Sequence, residues 1–71
     1  MVIATFRSRT ETLNFASILR SYNVWCLVIN TPRYINVSCG ISVKFNSVDI
    51  DVAKMIISRR GFSTFGGFYE I

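Results

Sequence analysis

The sequence predicts a two-layer α+β sandwich built in the order β-α-β-β-α-β. Two observations predict the elements, and a third limits the architecture. Four short, β-rich apolar runs lie at 2–6, 24–29, 41–45 and 62–71. Two segments with helical start and stop signals separate the first run from the second and the third from the fourth. The chain is 71 residues long, which is one domain (1–71). A chain of that size buries only about 60% of its unfolded surface, so it suits two thin layers. With right-handed crossovers, this order gives the ferredoxin-like sandwich: two helices on one face of an antiparallel sheet with strand order 4-1-3-2.

Each element has a local reason. "VIATF" alternates and is rich in β-formers, so it is strand one. "SRTE" at 8–11 fits a capping box. The Ser8 hydroxyl accepts from the amide three residues on, and Glu11 reaches back to the Ser8 amide. The helix then runs to about Tyr22, with Leu13, Ala16 and Leu19, joined by Phe15 and Ile18, as its apolar stripe. Asn23 stops it, because asparagine tolerates the left-handed conformation. "VWCLVI" at 24–29 is strand two and is apolar on both faces. "ISVKF" is strand three, with Ile41, Val43 and Phe45 on one face and Ser42 and Lys44 on the other. "NSVD" at 46–49 offers N-caps for the second helix, and Asp49 and Asp51 suit its N-terminus. Ala53, Ile56 and Ile57 form its buried stripe, Arg59 and Arg60 its last turn, and Gly61 its C′ residue. "FSTFGGFYEI" is strand four, where Gly66-Gly67 invites a bulge or a close backbone approach.

Composition narrows the function classes. About half of the residues are apolar (51%), too many for a disordered chain. The net charge is +4, and Arg7, Arg9, Arg20, Arg33, Arg59 and Arg60 supply most of the positive charge. Cys26 and Cys39 are too few for a disulfide scaffold or an iron–sulfur cluster, and no C-x-x-C pair is present for zinc. No cofactor is implied. The chain enters a strand at once, and its longest apolar run, "VWCLVI", is far too short to span a bilayer. The expectation is a cytoplasmic protein with reduced thiols and no membrane association.

The predicted topology gathers the chemistry. The end of strand one, the start of helix one, the strand two–three loop and the helix two–strand four loop all lie at one end of the domain. Arg7, Ser8, Arg9, Pro32, Arg33, Ser38, Cys39, Gly40, Arg59 and Arg60 are therefore expected there. Arginines and the amides of a helix N-terminus stabilise anions, and only the thiolate of a cysteine is nucleophilic. The chain has no histidine, so these groups would have to lower the Cys39 pKa unaided. Pro32 stiffens the loop's start, Arg33 can make two parallel hydrogen bonds to an oxyanion, and Gly40 permits close backbone approach. A plainer reading stands beside this one: arginines at element ends are often solubilising, and a lone cysteine is often an inert small hydrophobe. Cys26, mid-strand between Trp25 and Leu27, reads as core. Nothing in the sequence supports a Cys26–Cys39 disulfide.

The turn Thr31-Pro32-Arg33, followed by Ser38-Cys39-Gly40 at the start of the next strand, resembles a family of very small bacterial proteins known as selenium/sulfur carrier protein-like. The resemblance spans nearly the whole chain, including the closing "GGFYEI". Asn30 departs from it, standing where a proline is common. The resemblance implies that Cys39 holds sulfur or selenium as a persulfide-type species and passes it on. The partners would then be a donor protein and an acceptor protein, with no reaction catalysed on a small molecule.

A second reading is a regulatory module of the same fold that binds an anion or an acidic partner without covalent chemistry. RNA binding is disfavoured, because strand three turns Ser42 and Lys44 rather than aromatics to the open face. Acylphosphatase-like chemistry is disfavoured, because "FRSRTE" has no glycine-rich cradle. Strand two is expected at a sheet edge with Trp25, Leu27 and Ile29 uncovered. Such a row invites pairing, so a homodimer or higher oligomer that buries Trp25 is expected.

Overall fold

The computed structural model describes residues 1–35 and 40–71. Its elements are β1 (Val2–Phe6), α1 (Arg9–Ser21), β2 (Cys26–Asn30), β3 (Ile41–Phe45), a 3₁₀ turn (Ser47–Asp49), α2 (Ile50–Arg60) and β4 (Phe65–Glu70). The sheet order is β2-β3-β1-β4, and every neighbouring pair is antiparallel. This is the ferredoxin-like α+β sandwich.

The helix ends follow from local chemistry. The Ser8 hydroxyl accepts from the Glu11 amide at 3.3 Å, capping α1. At the other end, Asn23 takes φ 60. The amide of Asn23 donates to the Arg20 carbonyl, and that of Val24 to the Leu19 carbonyl, each at 3.0 Å. These two bonds form a Schellman motif. They also explain why β2 starts at Cys26 rather than at Val24: the Val24 backbone belongs to the helix end. Its side chain is still buried. Gly61 caps α2 in the left-handed conformation, with its amide on the Ile57 carbonyl. The second helix differs slightly from expectation. No side chain of Asn46 or Asp49 caps it, and the 3₁₀ turn leads into it instead.

The α1 stripe is shifted by one residue. Thr12, Phe15, Ala16 and Leu19 are buried, whereas Leu13 is 46% exposed. Thr12 satisfies its own hydroxyl by donating to the Ser8 carbonyl at 2.9 Å, so burying it leaves no unpaired polar group. The spacing 12-15-16-19 is then an unbroken helical face.

The core lies between sheet and helices. Val2, Ala4, Phe6, Cys26, Val43 and Phe45 from the strands meet Phe15, Ala16, Leu19, Ala53 and Ile56 from the helices. All six phenylalanines of the chain join one network of ring contacts, with centroids 4.9–6.4 Å apart. Edge-to-face pairs of this kind each add about 0.5–1.5 kcal/mol beyond area burial, which matters in so small a core. β4 is shorter than its apolar run, because a turn at Ser63 and Thr64 precedes it. The register shifts between Thr5 and Phe6, which produces the expected bulge at Gly66. A Cβ on Gly66 would lie 2.9 Å from the Thr5 hydroxyl, so only glycine lets β4 approach β1 this closely.

On the other face, alternation turns Ile3, Thr5, Leu27, Ile29, Ser42, Lys44 and Tyr69 away from the helices. Thr5 and Ser42 are nonetheless fully buried, and Ile35, outside the helix-side cluster, is buried as well. The Thr31 and Ser42 hydroxyls are hydrogen-bonded. These facts place the described start of the β2–β3 loop over that corner of the sheet.

Candidate functional site

The site is built at the C-terminal end of β1. Asn30 pairs with Ile41, and the Thr31 amide donates to the Gly40 carbonyl at 2.9 Å, closing the base of the β2–β3 loop. β1 pairs with β3 from Val2↔Phe45 to Thr5↔Ser42, and two further places in that register set Arg7 level with Gly40. The Arg7 amide donates to the Thr64 carbonyl at 3.0 Å. Thr31, Gly40, Arg7 and Thr64 thus form one rank across the ends of all four strands. Gly40 has φ +82 with open space around its Cβ position. Its role is backbone conformation at the loop's re-entry, since a side chain there would be strained rather than crowded.

The predicted residues fall into two groups around this rank. Arg7, Ser8 and Arg9 lead into α1, and both arginines are exposed. Pro32 and Arg33 begin the loop, with the Ile35 amide donating to the Pro32 carbonyl at 3.0 Å, and Arg33 is exposed. No ion pair among the described residues occupies Arg7, Arg9 or Arg33. Ser38 and Cys39 lie outside the described residues.

Glu11 does something its position in a capping box does not suggest. The Ser8 amide donates to the Thr64 hydroxyl at 3.2 Å, not to Glu11. The Glu11 carboxylate instead accepts from the amides and hydroxyls of Ser63 and Thr64. These four bonds, led by the Thr64 hydroxyl, hold its pKa below the ordinary value. They also pin the start of α1 to the turn before β4. The only hint in the sequence is the "ST" pair after Gly61, and its partner lies 52 residues away.

Arg60 separates from the loop arginines. It lines an open groove of about 410 Å³ with Glu11, Asn14, Ser17, Ile18 and Phe62, between α1 and the turn after α2. The basic end is therefore split. Arg7, Arg9 and Arg33 flank the β1 and β2 ends, whereas Arg60 faces a groove beside a saturated carboxylate.

Cys26 is a free, buried thiol. It lies 3.5 Å from the Ala16 carbonyl as a donor, and burial pushes its pKa up, with Arg20 opposing in part. A buried thiol with a raised pKa is a poor nucleophile. Cys26 is core, as its place in the strand suggests.

The model of the family described as "Putative Se/S carrier protein-like" matches residues 1–69. The chain belongs to this family. No curated protein and no solved structure matches it. Within this family member, no helix of the described residues is long and apolar enough to cross a membrane.

Proposed function

We propose that this Se/S carrier-like protein carries sulfur or selenium on Cys39. The observation that carries the reading is family membership over residues 1–69 together with the T-P-R turn and S-C-G motif. The described geometry supports it. Arg33 and Gly40 stand at either base of the Cys39 loop, and Arg7 lies level with Gly40; among the described residues no ion pair engages either arginine. Cations and helix-terminal amides at such an end favour a thiolate over a thiol.

The chemistry is a redox-neutral exchange. The Cys39 thiolate attacks the outer sulfur of a donor protein's persulfide. A new S–S bond forms at Cys39, the donor's own S–S bond breaks, and the donor leaves as a thiolate. The proton on the terminal sulfur travels with it. Selenium transfers by the same exchange. Arg7, Arg9 and Arg33 hold the negative charge before and after transfer, while Pro32 stiffens the start of the loop. The protein is then the substrate of its donor and acceptor partners, in a cytoplasm reducing enough to keep Cys39 free.

The test is mass spectrometry after incubation with a cysteine desulfurase and cysteine. A one-sulfur adduct on Cys39 is expected, lost in Cys39→Ser and retained in Cys26→Ser. No adduct, or an adduct on Cys26, overturns the reading. If Cys39→Ser still binds an anionic ligand and Arg33→Ala does not, the protein is a non-covalent anion-binding module instead.

A further inference from the structure

The sheet order makes β2 an edge strand. Its five residues, Cys26–Asn30, carry no charge and no proline, and they pair with β3 in unbroken register. Edge strands in monomers are normally blunted by charges, prolines or bulges, and β2 has none of these. Its open-face side chains are apolar, Leu27 47% exposed and Ile29 half-buried, and Trp25 just before the strand is 51% exposed. Met1, Tyr69 and Ile71 extend the exposed apolar surface along the sheet, where the Ile71 amide donates to the Met1 carbonyl.

Lys44 decides what covers this edge. It lies next to Leu27 on the open face. Stacking two open faces would set two like charges about 10 Å apart across a dry interface. Pairing two β2 edges keeps the two Lys44 three strand spacings apart, about 14 Å, on a solvent-facing surface. That separation exceeds the screening length of about 8 Å at physiological salt.

We propose that the protein is a homodimer in which β2 pairs antiparallel with β2 of a second copy, about a twofold axis at Leu27. Leu27 then faces Leu27 of the second copy, and Trp25 faces Ile29 in both directions. An axis at Val28 would instead set the apolar Trp25 against the polar Thr31, whose hydroxyl is bonded to that of Ser42. The interface is self-complementary and closes at two copies. The twofold sends Arg33 and Gly40 of the two copies to opposite ends of the pair. The inference does not depend on the chemistry of Cys39.

The test is analytical ultracentrifugation of the full chain without any ligand, over a wide concentration range, run on wild type, Leu27→Lys and Tyr69→Lys. Wild type is expected to dimerise. Leu27→Lys places like charges opposite each other at the axis and is expected to raise the dissociation constant at least about tenfold. Tyr69→Lys, on the open face but on the far strand, is expected to leave it unchanged. A wild type monomeric throughout overturns the proposal, as does a folded Leu27→Lys that still dimerises normally. Equal weakening by both variants shows stacked faces and also overturns it. Should Leu27→Lys fail to fold, hydrogen exchange on wild type decides. The outward-facing amides of Cys26 and Val28 are expected to exchange more slowly at high concentration, and no concentration dependence contradicts the pairing.

Discussion

β4 closes its edge of the sheet with a bulge at Gly66 and an exposed Glu70, whereas β2 presents five uncharged residues in regular register. β4 is also knitted inward. Phe65 and Phe68 join the ring network, the Thr5 hydroxyl donates to the Gly67 carbonyl at 3.1 Å, and the preceding turn is held by Glu11. β2 contributes Cys26 and Val28 to the core but turns Trp25 and Leu27 outward, then leads directly into the loop of Arg33 and Cys39. The two edges divide the labour. A small domain that cannot protect everything satisfies one edge internally and leaves its interactive groups along the other.

That division can be broken from either side. The largest effect on stability is expected on the β4 side. Phe68→Ala removes a half-buried ring in contact with Phe45 and Phe65 and is expected to cost about 2 kcal/mol, below the 3–5 of a fully buried phenylalanine. Chemical denaturation measures it. Gly66→Ala should follow at about 1–2 kcal/mol, because its Cβ must displace the Thr5 hydroxyl. On the β2 side, Trp25→Ala is expected to change the stability of the dilute monomer by less than about 0.5 kcal/mol. A loss as large as that of Phe68→Ala would erase the contrast.

Glu11 sharpens the comparison through pH. Its folded pKa is lowered by the Thr64 and Ser63 donors. Its contribution to stability is therefore present above the unfolded carboxylate pKa and lost as pH falls through the lower folded value. Denaturation midpoints of wild type should fall through that acid window more steeply than those of Glu11→Gln. Identical pH profiles would show that the clamp does not stabilise the fold.

Much of this was legible in the sequence because the signals are local. The Ser8 cap, the left-handed Asn23, the Gly61 stop and the alternation of β3 each depend on a few neighbouring residues, and each appears where expected. The open-face row of Trp25 and Leu27 was legible for the same reason, once topology put β2 at an edge. What was not legible depends on distant partners. Glu11 looks like a capping-box residue until the turn before β4 arrives to claim it. Thr12 is the exception with a local partner: its hydroxyl donates to the Ser8 carbonyl one turn back, so it takes the buried place that hydrophobicity alone would give to Leu13. Arg60 looks like part of the loop's basic cluster until the groove beside α1 claims it.

Cys26 is a buried core thiol with a raised pKa, and the carrier proposal requires the opposite of Cys39. Titrating both thiols in one folded chain, by the pH dependence of alkylation resolved by peptide mass mapping, tests it most directly. Cys39 is expected to react with a pKa below the unperturbed value of about 8.5, and Cys26 only when the protein unfolds. A Cys39 pKa at or above that value, or a Cys26 that alkylates as readily in the native state, would contradict it.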